Sequence, residues 1–431
     1  MKYLPRFASL LLVLASLRAT DVPAPAPAPP TDWIDPDTGH RVIRLSREPG
    51  TASLYFHQNA YSVDGKKLVV TAPGGISTIN LETHAIDLVV PAPRTEDRTQ
   101  RVNILVTGRQ SGDIYYTRNR AVFATNLDTH ATHEVAKLPA DVDGTNITIN
   151  ADESLIVGIG VDKEGKAEPR ALPHDGPPGG LEGRWAQGLP MVLFTINLAT
   201  GEVKKIYHEH DWTNHLQCSP TDPTLIMFCH EGPWHYNDRT WLIRTDGTGL
   251  TKVHPRTMDG EIAGHEFFGA DGKTVWYDLQ TPRSQVYWLA GYNVATGERT
   301  WYNHARSEWS VHYNVSPDGT LFAGDGGGPN SVGSSDTTGL KFDPPSNGQW
   351  IYLFRPEMTR YHALPAQQPG LIRAGVFRAE KLVNLAQHNY SLEPNLTFTP
   401  DMKWIIFRSN MHGATHVYAV EIAKTPAVPA K

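Results

Sequence analysis

Two cysteines in 431 residues leave no material for a disulfide scaffold. Cys218 and Cys229 flank a turn at 219–224, where Cys218 would face roughly Leu225 in a closed hairpin. Cys229 would then lie too far along the strand to bridge easily, so two buried thiols are expected, with a disulfide as the alternative. Positive charge is also in short supply: Lys+Arg 39 against Asp+Glu 45 gives a net charge of −6. That balance excludes the basic surface of a nucleic-acid binder, and an anionic substrate would need a local cationic site. Long apolar runs are missing too. The stretch 7–17 is too short to anchor the chain across a bilayer, and no lipoprotein cysteine follows it. Gly324-Asp325-Gly326-Gly327-Gly328 lacks the lysine of a phosphate-binding loop and reads as a strand-end turn.

What is present begins with an export signal. Lys2 and Arg6 precede the apolar run, and Ala19 and Thr20 follow it. The expected organisation is a signal peptide over 1–20, a Pro/Ala-rich linker over 21–32, a folded body over 33–424 and a disordered tail over 425–431. The mature protein is therefore expected to be periplasmic or secreted.

The folded body repeats one unit. Turns rich in Asp, Gly and Pro recur at Ser62-Val63-Asp64-Gly65, Ser111-Gly112-Asp113, Ala151-Asp152-Glu153-Ser154, Ser219-Pro220-Thr221-Asp222, Ala270-Asp271-Gly272, Ser316-Pro317-Asp318-Gly319 and Thr399-Pro400-Asp401. Each is followed by a short apolar strand and then by further strands. Seven such units predict an all-β, seven-bladed β-propeller of four-stranded antiparallel blades. The last unit is one strand short, and 40–46 can supply the missing strand and close the ring. Two long intervals, 161–190 and 326–349, read as loop insertions.

Register then places polar groups together. Counting back four residues from the turn in four units gives His215, His265, His312 and Asn395, with Glu393 on the same strand face as Asn395. Equivalent repeat positions would bring them to one channel mouth, with His57 or Gln58 from the first unit. Convergent polar groups in a concavity mark a functional site. Mixed imidazole and oxygen donors suit a divalent ion such as Mn²⁺ better than Ca²⁺ or Mg²⁺. A further dense stretch, 228–268, holds His230, Glu231, His235, Asp238, Arg239, His265 and Glu266, a composition suited to chemistry on an anion. Trp234 and Tyr236 could stack on sugar rings.

Phe228-Cys229-His230-Glu231-Gly232-Pro233, Arg239-Thr240-Trp241-Leu242-Ile243, His265-Glu266-Phe267, Ser310-Val311-His312, Gly324-Asp325-Gly326 and Phe398-Thr399-Pro400-Asp401 resemble the oligogalacturonate lyases. The resemblance runs from about Trp33 through most of the chain. It implies a seven-bladed propeller that cleaves oligogalacturonides by β-elimination with a bound Mn²⁺. It also implies His265 as base, Arg239 as cationic partner of the substrate carboxylate, and His312 as a metal ligand. Where the family has a His-Pro-His segment and an upstream glutamine, this chain has Glu393-Pro394-Asn395 and Tyr390. Glu393 and Asn395, with nearby His388, are the expected remaining ligands.

The chemistry asks for these residue types. Elimination across C4 and C5 of a uronate removes a weakly acidic proton beside a carboxylate, and cations on that carboxylate stabilise the developing charge. A neutral histidine can take the proton. Water, His230 and Tyr313 are candidate donors to the leaving oxygen, while His215, His57, Glu231 and Trp234 are expected to bind substrate. The alternatives are a lyase for a glucuronate- or rhamnose-containing glycan, or a non-catalytic propeller that binds a sugar acid or a protein. A hydrolase would need paired carboxylates, for which only Glu231 and Glu266 offer themselves.

Overall fold

The apolar strands that follow the turns are buried on both faces, which is why they read as continuous runs rather than as an alternation. In the strand Leu155–Asp162, Ile156 packs with Tyr115, Val122 and Phe194. Val157 and Ile159 point the other way, into Leu216, Ile226 and Phe228. The strand Leu225–Glu231 repeats the arrangement, with Ile226 and Phe228 on one side and Leu225 and Met227 on the other. The two-residue period thus divides each strand between two separate cores.

The computed structural model describes residues 30–93, 95–172, 180–234, 236–328, 349–359 and 370–424. Its architecture is all-β. Six sheets follow one another along the chain, and four of them are four-stranded and built from consecutive strands. An eight-stranded sheet consists of two antiparallel four-stranded halves, 262–304 and 313–384, joined by one parallel pairing of Arg299–His304 with Ile372–Asn384. The remaining sheet unites both ends of the body, since His40–Arg44 pairs antiparallel with His416–Lys424. Asp32–Ile34 adds an outer strand to it, so regular structure starts one residue ahead of Trp33.

Each sheet shares a hydrophobic core with the next, and the series closes on itself. Phe398, Phe407 and Tyr418 of the terminal sheet pack against Leu353 and Leu382 on one side. Ile406, Val417 and Ala419 pack against Leu68 and Val70 on the other. Burying a large apolar side chain is worth about 1.5–3 kcal/mol. The repeated turns set the register: Ser316 Oγ donates to Asp318 Oδ1, and Gly319 takes the left-handed conformation that its turn requires (φ 73°).

Two expectations need correction. The insertion at 161–190 is not wholly loop, because Gly180–Ala186 is a short α-helix. Cys218 pairs with Ile226 rather than Leu225 and is only partly buried, though both thiols are free as expected. The stretch 349–359 continues into a strand, Trp350–Met358, while most of the 326–349 insertion lies outside the described residues. The expected signal peptide, most of the linker, the 425–431 tail and His235 also lie outside them. No helix among the described residues is long and apolar enough to cross a membrane.

Candidate active site

The backbone does something unusual at three of the four positions found by counting back from the turns. His215, His265 and Asn395 all have left-handed backbone, with φ of 48°, 40° and 50°. At His215 and His265 the strand pairing skips, between Asn214 and Gln217 and between Gly264 and Phe267. Such bulges re-aim a side chain, and histidine and asparagine are among the non-glycine residues that tolerate this conformation. Among the described residues, seven other non-glycine residues share this conformation, but these three occupy corresponding positions in their units.

The bulges help form a cavity of about 820 Å³ whose walls include His215, His265, Glu231, Arg239, Trp234 and Glu393. His312 lies just beneath, fully buried, with its ring 4.6 Å from that of His265 and its Nε2 3.7 Å from Glu393 Oε2. His215 and His265 are 5.9 Å apart between ring centres. Three histidines and a carboxylate therefore meet at one place. His57 packs between Tyr55 and His215 and lines a separate cavity of about 390 Å³ that also reaches His215.

The charged floor is a buried network. Arg239 donates through Nε to Glu266 Oε2 at 2.9 Å and through Nη1 to Glu231 Oε1 at 2.7 Å. His215 sits between the same carboxylates, 3.2 Å from Glu266 Oε1 and 3.5 Å from Glu231 Oε2. Burial alone would raise the pKa of both acids, but Arg239 and His215 outweigh it and hold Glu266 well below the usual range and Glu231 below it. Arg239 is correspondingly fixed as a cation. Its charge is already matched within the protein, more fully than a role confined to the substrate carboxylate would suggest.

His265 is held well below the ordinary imidazole pKa, first by burial and then by His312, His215 and Arg239, with Glu266 opposing. A neutral ring was expected from neighbouring positive charge; burial is the larger cause.

The metal-ligand set needs revision. Asn395 is fully buried, its carboxamide oxygen accepts from Phe56 N–H at 3.1 Å, and its amide nitrogen donates to Glu393 O at 3.2 Å. His388 pairs with Ser409 Oγ at 2.9 Å and with Leu392 O at 2.7 Å, so both ring nitrogens are engaged. These two residues brace the loop rather than present donors. His312 does fit a metal. Its Nδ1 is 2.8 Å from Asp325 Oδ2, and its Nε2 is buried without a hydrogen bond, facing Glu393. A carboxylate behind a histidine whose far nitrogen is free is the arrangement that orients metal-binding imidazoles. The described residues contain three groups of three His, Cys, Asp or Glu ligand atoms within 4.8 Å of one another, and His312 with Glu393 is not among them. Among the described residues, His312 Nε2 and the Glu393 carboxylate are the two groups that would hold an ion there.

Two expected participants lie elsewhere. Tyr313 is fully buried, with its hydroxyl between His304 Nε2 and Ser310 N, both at 3.0 Å. His230 lies 2.6 Å from Glu209 Oε2 and stacks near Trp241, away from the cavity wall. Neither is placed to protonate a leaving group. Conversely, two acids went unnoticed as site residues. Asp325 organises His312 and also accepts from Asn395 N–H. Asp278 lines the cavity from the strand Thr274–Gln280. The available signal for both was a carboxylate where the pattern demands burial: a Gly-Asp-Gly strand end and an acid amid Trp276-Tyr277-Leu279.

Comparison with known proteins places the chain among relatives of one named activity. A curated oligogalacturonate lyase from Dickeya dadantii (strain 3937) is 27% identical over 428 residues, covering 91% of this chain and 95% of that protein. An oligogalacturonide lyase from Pectobacterium atrosepticum is 26% identical with the same coverage. Among solved structures, an oligogalacturonate lyase in complex with manganese superposes with a TM-score of 0.70 at 22% identity, covering 91% of this chain and 96% of that one. The Vibrio parahaemolyticus oligogalacturonate lyase gives 0.71 at 21%, with the same coverage. The family model described as oligogalacturonate lyase matches residues 31–426, and with nearly the whole folded body inside that match the chain belongs to the oligogalacturonate lyase family.

Proposed function

We propose that this protein is an exported, seven-bladed β-propeller lyase that cleaves short oligogalacturonides by β-elimination, with His265 as the base. The observation that carries the reading is a half-buried, neutral His265 set in the cavity wall against His312 and within the field of Arg239. His265 takes the C5 proton, the C5–H electrons form the C4=C5 double bond, and the C4–O4 bond breaks. Arg239, held by Glu231 and Glu266, keeps a fixed positive charge beside the position where negative charge develops. Trp234 supplies an apolar wall against which a sugar ring can lie. His312 and Glu393 would hold a divalent cation, Mn²⁺ by the mixed nitrogen and oxygen donors and by analogy with the manganese-bound relative. When bound, it supplies positive charge that acidifies the C5 proton through the substrate carboxylate.

The direct test is absorbance of the unsaturated uronate on trigalacturonate. Exhaustive chelation is expected to reduce the rate to background, and Mn²⁺ to restore it. Full activity after chelation would leave Arg239 as the sole neutralising group. Independently of activity, Asp325→Asn is expected to weaken Mn²⁺ binding by about 10–100-fold in a calorimetric titration, because His312 loses the carboxylate that orients it. Unchanged affinity would remove His312 from the site. A second reading, a lyase for another uronate, is favoured by the half-exposed Glu393 carboxylate in the cavity, which can accept from sugar hydroxyls differently placed from those of galacturonate. A glucuronate oligosaccharide in the same assay separates the two.

A further inference from the structure

We propose that Asp278 is the acid that protonates the leaving oxygen in this elimination, an assignment that rests on the lyase reading above. Asp278 is 3% exposed, yet it forms part of the cavity wall. It stands on the strand beside the one that carries His265, directly opposite Gly264 in the antiparallel pairing. The residue opposite matters because it has no side chain. A Cβ added to Gly264 would meet Asp278 Oδ2 in ordinary contact at 3.8 Å, so with glycine there no side chain of the paired residue covers that oxygen. Base and acid thus come from neighbouring strands, with His265 following the glycine that uncovers the acid.

The two carboxyl oxygens are not equivalent. Trp309 Nε1 donates to Oδ1 at 2.9 Å, and an indole N–H can only donate, so Oδ1 is an acceptor. Gln280 Nε2 donates to Oδ2 at 3.4 Å, the longer and weaker of the two bonds. Both oxygens accept, and the shorter bond favours Oδ1 as the carbonyl oxygen and Oδ2 as the one that carries the proton of the neutral acid. Burial pushes the carboxyl up to about 7, against the opposing pull of Trp309, Gln280 and Arg239. The other titratable groups facing it are Tyr287 and Tyr313, which its charge disfavours from ionising, and His265 across the cavity wall. Among the described residues of the wall, Glu393 is half-exposed and faces His312 Nε2 at 3.7 Å. Glu231 is ionised against Arg239, and the Tyr390 hydroxyl is spent on Asp325 O at 2.9 Å.

The step balances. His265 gains the C5 proton and becomes imidazolium. The C4–O4 electron pair leaves on O4, which takes the Oδ2 proton of Asp278. The products are an unsaturated uronate and a sugar with a free hydroxyl, and the imidazolium and carboxylate exchange one proton through water to reset.

Asp278→Asn keeps an oxygen for Trp309 and removes the transferable proton. The test uses trigalacturonate and a galacturonide carrying 2,4-dinitrophenolate at C4, a leaving group that needs no proton. For Asp278→Asn, kcat on trigalacturonate is expected to fall about 100-fold or more with KM little changed, while the aryl substrate is turned over at about the wild-type rate. His265→Ala should lose both. Wild-type kcat on trigalacturonate should decline as pH rises through about 7, where Asp278 gives up its proton, and the aryl substrate should show no such decline. That comparison uses the unmodified protein and stands even if the variant fails to fold. Equal losses on both substrates, no loss on trigalacturonate, or the same alkaline decline for both would overturn the assignment while leaving the lyase reading intact. A wild-type protein that eliminates neither substrate overturns both.

Discussion

Removing the His265 imidazole is expected to lower kcat for elimination by about 10²–10⁴-fold, the usual contribution of a positioned general base. The fold should survive, because the ring is held by packing against His312 and Phe56 at the cavity wall. The choice of substitution matters. At φ 40° an alanine meets the left-handed penalty of about 1–2 kcal/mol, whereas asparagine tolerates that region. His265→Asn should therefore match His265→Ala in lost activity and exceed it in stability, as measured by steady-state absorbance and urea unfolding. Because His265 is held well below the ordinary imidazole pKa, its neutral form persists through mildly acidic pH and should not limit the wild-type rate there. Turnover near the wild-type value in either variant would reduce His265 to a binding residue.

Arg239→Ala should produce the largest loss of stability, about 3–5 kcal/mol, the cost of removing one partner from a buried ion pair. Glu231 and Glu266 would both be left without their cation, and Glu266 is fully buried. The pH dependence separates this from simple loss of packing. In the wild-type protein both carboxylates have folded pKa values below their unfolded ones. Their stabilisation is thus complete above the unfolded value of about 4.3 and is lost as pH falls through the folded values. Without Arg239, burial instead raises both, so the variant is relieved by protonation. Urea unfolding at pH 7 and at pH 4.5 should show the gap between the two proteins narrowing in acid. A gap that stays constant, or a variant as stable as wild type at pH 7, would mean that the network does not hold the site together.

Much of the site was legible because turns set register. A hairpin turn ties the strands on either side of it, so counting four residues back from Ser219, Gly269 and Ser316 reached His215, His265 and His312, which do meet. The same count reached Asn395, but side-chain type alone could not show that its amide is committed to Phe56 N–H and Glu393 O. Left-handed backbone at three of these positions was not legible at all, since no glycine announces it. Tyr313 and His230 failed for a related reason. Both are close in sequence to true site residues, but successive strand residues face opposite ways, and these two point into other surroundings.

By itself the sequence determined that the chain is all-β, that its units repeat, that its two thiols are unpaired and which histidines share a register. Those properties follow from local turn chemistry, strand periodicity and spacing, all of which act over a few residues. Only the tertiary structure decided the surroundings of Asp278 and Asp325 and the internal neutralisation of Arg239. Each depends on burial and on partners as many as 70 residues away, as in the bond between Asn395 and Asp325. A carboxylate's protonation is set by the dielectric and the charges around it, and a linear chain does not state which residues those will be.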